Sequence, residues 1–99
     1  MDEEPITIEA ENHGARGRYV VRVSDAPEAE MTWFSSGKDV ITIDHTFVPP
    51  ELRNRGIAEK LVQRGIADAR ARGLKIVPAC SYVALQFRRH KDWADLLAR

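Results

Sequence analysis

Residues 45–73 read HTFVPPELRNRGIAEKLVQRGIADARARG, and the spacing of their apolar residues changes at the two prolines. In the residues that lead up to Pro49, Ile41, Ile43, His45 and Phe47 recur with a period of two, which is typical of one face of a strand. After Pro50 the apolar residues recur at intervals of three and four, which is typical of an amphipathic helix. These helical positions are Ala58, Leu61, Val62, Gly65, Ile66 and Ala69. The stretch therefore predicts a strand, a loop and a helix that ends at Gly73, since glycine readily adopts the left-handed conformation of a helix end.

The residues before this stretch predict three further strands. β-Branched and aromatic residues are concentrated in the segments Ile6–Ala10, Arg18–Val23 and Ala29–Phe34. Turn-forming residues separate these segments from one another and from the fourth strand, Val40–Val48. Successive hairpins of this kind predict an antiparallel meander.

The last quarter of the chain predicts a short strand and a second helix. Leu74–Val77 is a short apolar segment that stops at a proline, and helical spacing then extends over about Ser81–His90. We expect Trp93, Leu96 and Leu97 to form a terminal apolar cap. The predicted order of elements is ββββαβα, which is an α+β fold.

The composition limits the class of protein. Residues 1–99 are enough for a single domain, and a hydrophobic fraction of 43% is typical of a globular chain. Fifteen Lys and Arg balance fifteen Asp and Glu, so the chain lacks the cationic excess that sequence-independent nucleic-acid binding requires. Its start resembles no signal peptide, and no apolar run is long enough to span a bilayer, so we expect a cytoplasmic protein. We expect this protein to be a monomer or a homodimer.

The loop between the fourth strand and the first helix has the composition of an anion site. A helix start exposes N–H groups without intrahelical acceptors, and its dipole end is positive. Gly56 allows close approach of a phosphate, and Arg53 and Arg55 supply cationic donors. The alternative for these arginines is a solvated helix start. The Gly-Lys-Ser/Thr of a Walker loop and the three spaced glycines of a dinucleotide loop are both absent from the sequence.

Three motifs in this order resemble the GNAT superfamily of acyltransferases, and specifically a subgroup of small single-domain GNAT-like proteins. The motifs are His45-Thr46-x-Val48-Pro49, Arg53-x-Arg55-Gly56-Ile57-Ala58 and Pro78-x-Cys80-Ser81-Tyr82-Val83. The resemblance covers most of the chain and is closest over residues 40–83.

The resemblance implies acetyl-CoA as cosubstrate, no metal, and a fourth and fifth strand that diverge around the pantetheine arm. It places backbone groups of Phe47 and Val48 beside the pantetheine amides. It places the pyrophosphate on N–H groups of the loop residues Arg53, Asn54, Arg55, Gly56, Ile57 and Ala58.

Cys80, His45 and Tyr82 are the candidate catalytic residues. Cys80 follows the fifth strand and is a candidate proton donor or acetyl acceptor, with a buried structural thiol as the alternative. His45 is a candidate general base. It is expected on the apolar face of the fourth strand with Ile41, Ile43 and Phe47, where a structural histidine is the alternative. Tyr82 is a candidate acid, with aromatic packing as the alternative.

Three functions remain open on the sequence. The first is an N-acetyltransferase that moves the acetyl group directly from acetyl-CoA to an amine of a small molecule or a protein. The second is a coenzyme A-binding module with little or no activity, which acts as a sensor or partner subunit. The third is an α+β interaction domain in which the Arg/Gly loop is incidental.

Overall fold

The computed structural model describes residues 5–98, and within them the predicted order of elements is confirmed. Residues 1–4, on which the expected absence of a signal peptide depends, and residue 99 lie outside this range. The elements are β1 (Ile8–His13), β2 (Arg16–Val21), β3 (Ala29–Gly37), β4 (Val40–Phe47), α1 (Ile57–Arg72), β5 (Lys75–Pro78) and α2 (Ser81–Arg89), with 3-10 helices at Pro50–Leu52 and Lys91–Leu96.

The five strands form one sheet in the order β1-β2-β3-β4-β5. The first four strands are antiparallel neighbours, so the predicted meander is confirmed. β5 pairs with β4 in parallel, because α1 crosses over between them. The first hairpin is tighter than predicted: His13 pairs with Arg16, and the turn consists of Gly14 and Ala15 alone. Gly14 has a φ of 63°, which a two-residue hairpin turn of this kind requires.

The hydrophobic core lies between one face of the sheet and the helices. α1 buries the apolar stripe predicted from its spacing, except that Ala58 is only half-buried. Gly65 of α1 faces the sheet, where an added Cβ would lie 2.9 Å from Cε of the fully buried Met31. Glycine at this position therefore lets α1 pack close to β3. Gly73 ends α1 in the left-handed conformation, as predicted.

The C-terminal segment closes the core beside α2. Trp93 is 7% exposed, and its ring packs edge-on against Phe87 at 5.6 Å between centroids. His90, whose ring lies parallel to that of Trp93 at 3.9 Å, is half-buried. Ala98 donates its N–H to the carbonyl of Ile76, which attaches the chain end to β5. The predicted apolar cap is thus confirmed.

Polar side chains tie α1 to the first two strands. The Tyr19 hydroxyl donates to Oδ2 of Asp68 at 2.8 Å, and burial together with this carboxylate raises the pKa of Tyr19 well above its usual value. Arg64 donates to the same carboxylate at 3.2 Å and to the carbonyl of Ile8 at 3.2 Å. These contacts fix the orientation of α1 on the sheet and thus the position of its N-terminus.

The other face of the sheet carries charged side chains on its first three strands. Arg18 contacts Glu11, Glu28 and Glu30, and Arg22 contacts Glu9, Glu11 and Glu28. Because these groups are exposed or partly exposed, water screens their attraction and each pair contributes little to the stability of the fold. The two faces are therefore chemically distinct, and we call this one the open face.

Gly17 of β2 is required by the packing of Trp33. A Cβ added at Gly17 would lie 2.3 Å from Cζ2 of Trp33. We expect Gly17→Ala to lower the free energy of unfolding by about 1–3 kcal/mol through overpacking, measured by urea denaturation. The matched control is Gly37→Ala, whose new Cβ would make ordinary contacts at 3.6 Å with Val40. Equal losses in the two variants would contradict the steric explanation.

Candidate functional site

The pairing of β4 with β5 ends before β4 does. The last paired residues are Ile43 and Pro78, while β4 continues to Phe47. The N–H groups of Ala79 and Cys80 both donate to the carbonyl of Ile43, at 3.0 Å each. The chain then leaves the sheet and begins α2. The end of β4 beyond Ile43 is therefore not paired with β5, and the region between it and the start of α2 is hereafter the wedge.

A β-bulge at Asp44 changes which face of the sheet the side chains of the following β4 residues lie on. Trp33 pairs with Ile43 and Thr32 pairs with His45, so Asp44 is an extra residue on β4. Its carboxylate accepts a hydrogen bond from the Thr32 hydroxyl at 2.7 Å. One extra residue moves all later side chains of a strand to the opposite face.

His45 and Phe47 consequently lie on the open face, and the prediction that they share the apolar face of Ile41 and Ile43 is wrong. The side chain of His45 is 55% exposed, so a structural role in the core is also wrong for this residue. Its Nε2 lies 3.9 Å from Oε2 of Glu30. Phe47 is 43% exposed.

The bulge brings Thr46 to the helix-covered face, where it meets Cys80. Thr46 pairs with the fully buried Met31, and the Cys80 thiol donates to Oγ1 of Thr46 at 3.5 Å. Cys80 is half-buried and precedes the first residue of α2. Sequence reasoning missed Thr46, because regular alternation assigns it to the other face. The structure therefore brings Cys80 and Thr46 together and places His45 on the opposite side of β4.

The Arg53–Ala58 loop contains two residues in the left-handed backbone conformation. Asn54 and Gly56 have positive φ angles of 66° and 70°, and Gly56 directly precedes α1. Left-handed residues in such a loop turn neighbouring N–H groups toward one side, where they can surround an anion. A Cβ added at Gly56 would meet nothing within 4 Å, so the space above the loop is open.

A cleft of about 360 Å³ lies over this loop. The loop residues Arg53, Asn54, Gly56, Ile57 and Ala58 line it together with Val48, Leu52, Glu59 and Tyr82. Nε of Arg53 donates to the carbonyl of Val48 at 3.3 Å, which holds the guanidinium at the exit of β4. The cleft thus joins the end of β4, the start of α1 and the first turn of α2.

Tyr82 is the candidate acid that the structure places on the cleft. Partial burial raises the pKa of its hydroxyl, and the negative charge of Glu59 raises it further. The phenol therefore stays protonated around neutral pH and is a hydrogen-bond donor there.

Within residues 5–98, His, Cys, Asp and Glu side chains form no group of three or more that could hold a metal ion. None of the helices in the same range is long and apolar enough to cross a membrane.

An antiparallel meander, a crossover helix that begins at an open glycine loop, and a parallel β4–β5 pairing that stops before the end of β4 together define a GNAT-like α+β protein. Residues 18–96 match the profile of the GCN5-related N-acetyl-transferase family. The chain belongs to this family, whose members are acyl-transferring enzymes. The match confirms the resemblance to the GNAT superfamily and extends from β2 through the C-terminal 3-10 helix.

The titration of Tyr82 tests the electrostatics of the cleft. In Tyr19→Phe, Tyr82 is the one remaining tyrosine of the chain, and its ionisation can be followed by ultraviolet absorbance. We expect a midpoint above the usual value of about 10. Adding Glu59→Gln should lower the midpoint, because a repulsive charge is lost, whereas adding Arg89→Gln should raise it, because an attractive charge is lost. Shifts of the same sign in the two variants would contradict this assignment.

Proposed function

We propose that the chain is an acetyl-CoA-dependent N-acetyltransferase that moves the acetyl group directly to an amine. The single observation that carries the proposal is the open, left-handed loop at Asn54 and Gly56, which lies beside the wedge at the N-terminus of α1. Membership of the N-acetyltransferase family supports it. Acetyl-CoA supplies the reaction with an activated acyl group and a thiolate leaving group.

The cleft suits the pyrophosphate of coenzyme A. Backbone N–H groups from Arg53 to Ala58 would donate to its oxygens, and the positive end of α1 favours the negative charge. Arg53 adds a cation at the rim of the cleft. Glu59 opposes binding, because its carboxylate also lines the cleft.

The free edge of β4 suits the pantetheine arm. Backbone groups of Phe47 and Val48 follow the last β4–β5 pair and would bond to the pantetheine amides, as a peptide adds to a strand edge. In this arrangement the thioester would lie in the wedge, within reach of Cys80.

Cys80 is proposed as the proton donor, with Tyr82 as the alternative. As the C–N bond forms and the thioester C–S bond breaks, the Cys80 proton passes to the departing sulfur. His45 would accept the proton of an amine that arrives from the open face, and release it to solvent. Backbone N–H groups around the wedge would stabilise the negative carbonyl oxygen. We also propose that the acceptor is an amine of a small molecule or of a protein. The protein would act in the cytoplasm as a monomer or a homodimer.

Thermal melts with coenzyme A test the loop. At a ligand concentration about 100 times Kd, binding stabilises the native state by about 2.7 kcal/mol, or roughly 10–20 °C in Tm for a chain of this size. We expect Gly56→Glu to abolish this shift, because a side chain would enter the phosphate site with the wrong charge. Gly73→Glu is the matched control at the other end of α1, with a φ of 69° and equally open space. Loss of the shift in both variants, or in neither, would exclude the loop as the pyrophosphate site.

Release of coenzyme A thiol with a panel of amines tests catalysis. We expect Cys80→Ala and His45→Ala each to reduce kcat by about 100-fold, the usual contribution of a general acid or base, while the thermal shift with coenzyme A is retained. If a variant loses the thermal shift with coenzyme A, it has lost binding, and the substituted residue would then be assigned to cofactor binding and not to catalysis. Binding without thiol release by the unaltered chain would identify a coenzyme A-binding module.

A further inference from the structure

Thr46 is the β4 side chain that contacts Cys80. The two groups are 34 residues apart in the sequence and meet across the wedge, with 3.5 Å between Sγ and Oγ1. We propose that Thr46 is the positioning residue of Cys80: its hydroxyl holds the sulfur at the wedge and donates to it whenever the thiol has lost its proton. The catalytic consequence of this proposal rests on the proposed acetyltransferase function, whereas the contact between Thr46 and Cys80 does not depend on that function.

Both backbones at this contact are held by hydrogen bonds. Thr46 lies on β4 opposite the buried Met31 of β3. Cys80 donates its N–H to the carbonyl of Ile43 at 3.0 Å, and its own carbonyl accepts from Ala84 at 2.9 Å. Thr46 is also β-branched, which restricts its side-chain rotation. The separation of the two side chains is therefore set by the sheet and by the start of α2.

The chemistry of the pair suits a thiol that alternates between two protonation states. A threonine hydroxyl can accept from the S–H group and can equally donate to a thiolate. Cys80 also lies at the N-terminus of the nine-residue helix α2, whose dipole favours a negative charge there. Both interactions act on the sulfur of the same side chain.

In the proposed reaction this arrangement stabilises the enzyme just after proton transfer. The S–H bond of Cys80 breaks, a new S–H bond forms on the coenzyme A sulfur, and the charge left on Cys80 accepts a hydrogen bond from Thr46. Thr46 keeps its own proton throughout, and Cys80 regains its proton from solvent. Thr46 thus acts through Cys80 and need not touch the substrate.

Alkylation by iodoacetamide tests the pair without any acyl substrate. Cys80 is the sole cysteine of the chain, so the reaction reports on this thiol alone. Thr46→Val keeps the shape but removes the hydroxyl, and Thr46→Ser keeps the hydroxyl. Thr42→Val is the matched control on the same strand, where the lost hydroxyl bonds to Ser36 instead.

We expect Thr46→Val to slow alkylation roughly threefold at neutral pH, since losing one hydrogen bond lowers the thiolate fraction while the remaining thiolate becomes somewhat more nucleophilic. At alkaline pH, where the thiol is fully ionised, its rate should equal or exceed that of the unaltered chain. Thr46→Ser and Thr42→Val should follow the unaltered profile. The ionisable groups near this contact are Asp44 and His45 on the far face of β4 and Tyr82 on α2, and they are the same in every variant.

Two results would overturn the proposal. An unaltered profile in Thr46→Val would show that the hydroxyl does not act on the sulfur. A rate that falls equally at every pH would indicate changed access rather than a lost hydrogen bond. Thermal melts check that each variant is folded, and Thr46→Ala, which also lacks the hydroxyl, replaces Thr46→Val if the latter does not fold.

The catalytic consequence is measured separately by thiol release from acetyl-CoA. Thr46→Val should lower kcat with little change in KM for acetyl-CoA, and Thr46→Ser should restore kcat. If the unaltered chain releases no thiol with any amine, the proposed function fails while the alkylation profile still decides the role of Thr46.

Discussion

The carbonyl oxygen of Ile43 accepts two N–H groups in succession, and the candidate site depends on this interaction. Regular parallel pairing between β4 and β5 stops there, because the N–H groups of Ala79 and Cys80 both turn to the same acceptor. Pro78 contributes to the break, since proline has no N–H with which to extend the ladder. The free edge of β4, the start of α2 and the placement of Cys80 all follow from this point.

The bulge at Asp44 directly follows Ile43 on β4, and it lies on the edge of the strand that pairs with β3. It separates the strand into a part whose inward residues are Ile41 and Ile43 and a part whose inward residue is Thr46. A strand of regular alternation would direct His45 toward the helices and Thr46 toward the open face. The bulge thus gives the two sides of the wedge different chemistry: a hydroxyl and a thiol on the covered side, an imidazole on the open side.

The Arg53–Ala58 loop is positioned by the core on both sides of it. Leu52 just before the loop and Ile57 near its end are both almost completely buried, and they anchor the loop on both sides. The bonds from Tyr19 and Arg64 to Asp68 set the orientation of α1 on the sheet. Because the loop is short and held at both ends, its left-handed residues face a fixed cleft.

The sequence by itself determined the order of the elements and the helix that ends at Gly73, and it indicated the loop before that helix as a candidate anion site. These features depend on local periodicity and on the backbone preferences of glycine and proline, which are readable over a few neighbouring residues. Only the tertiary structure decided that His45 is exposed, that Thr46 contacts Cys80, and where β4 and β5 diverge. The reason is that a bulge is a property of two paired strands, and a wedge is a property of the point at which pairing stops. Neither can be predicted from the alternation of apolar and polar residues along a single strand.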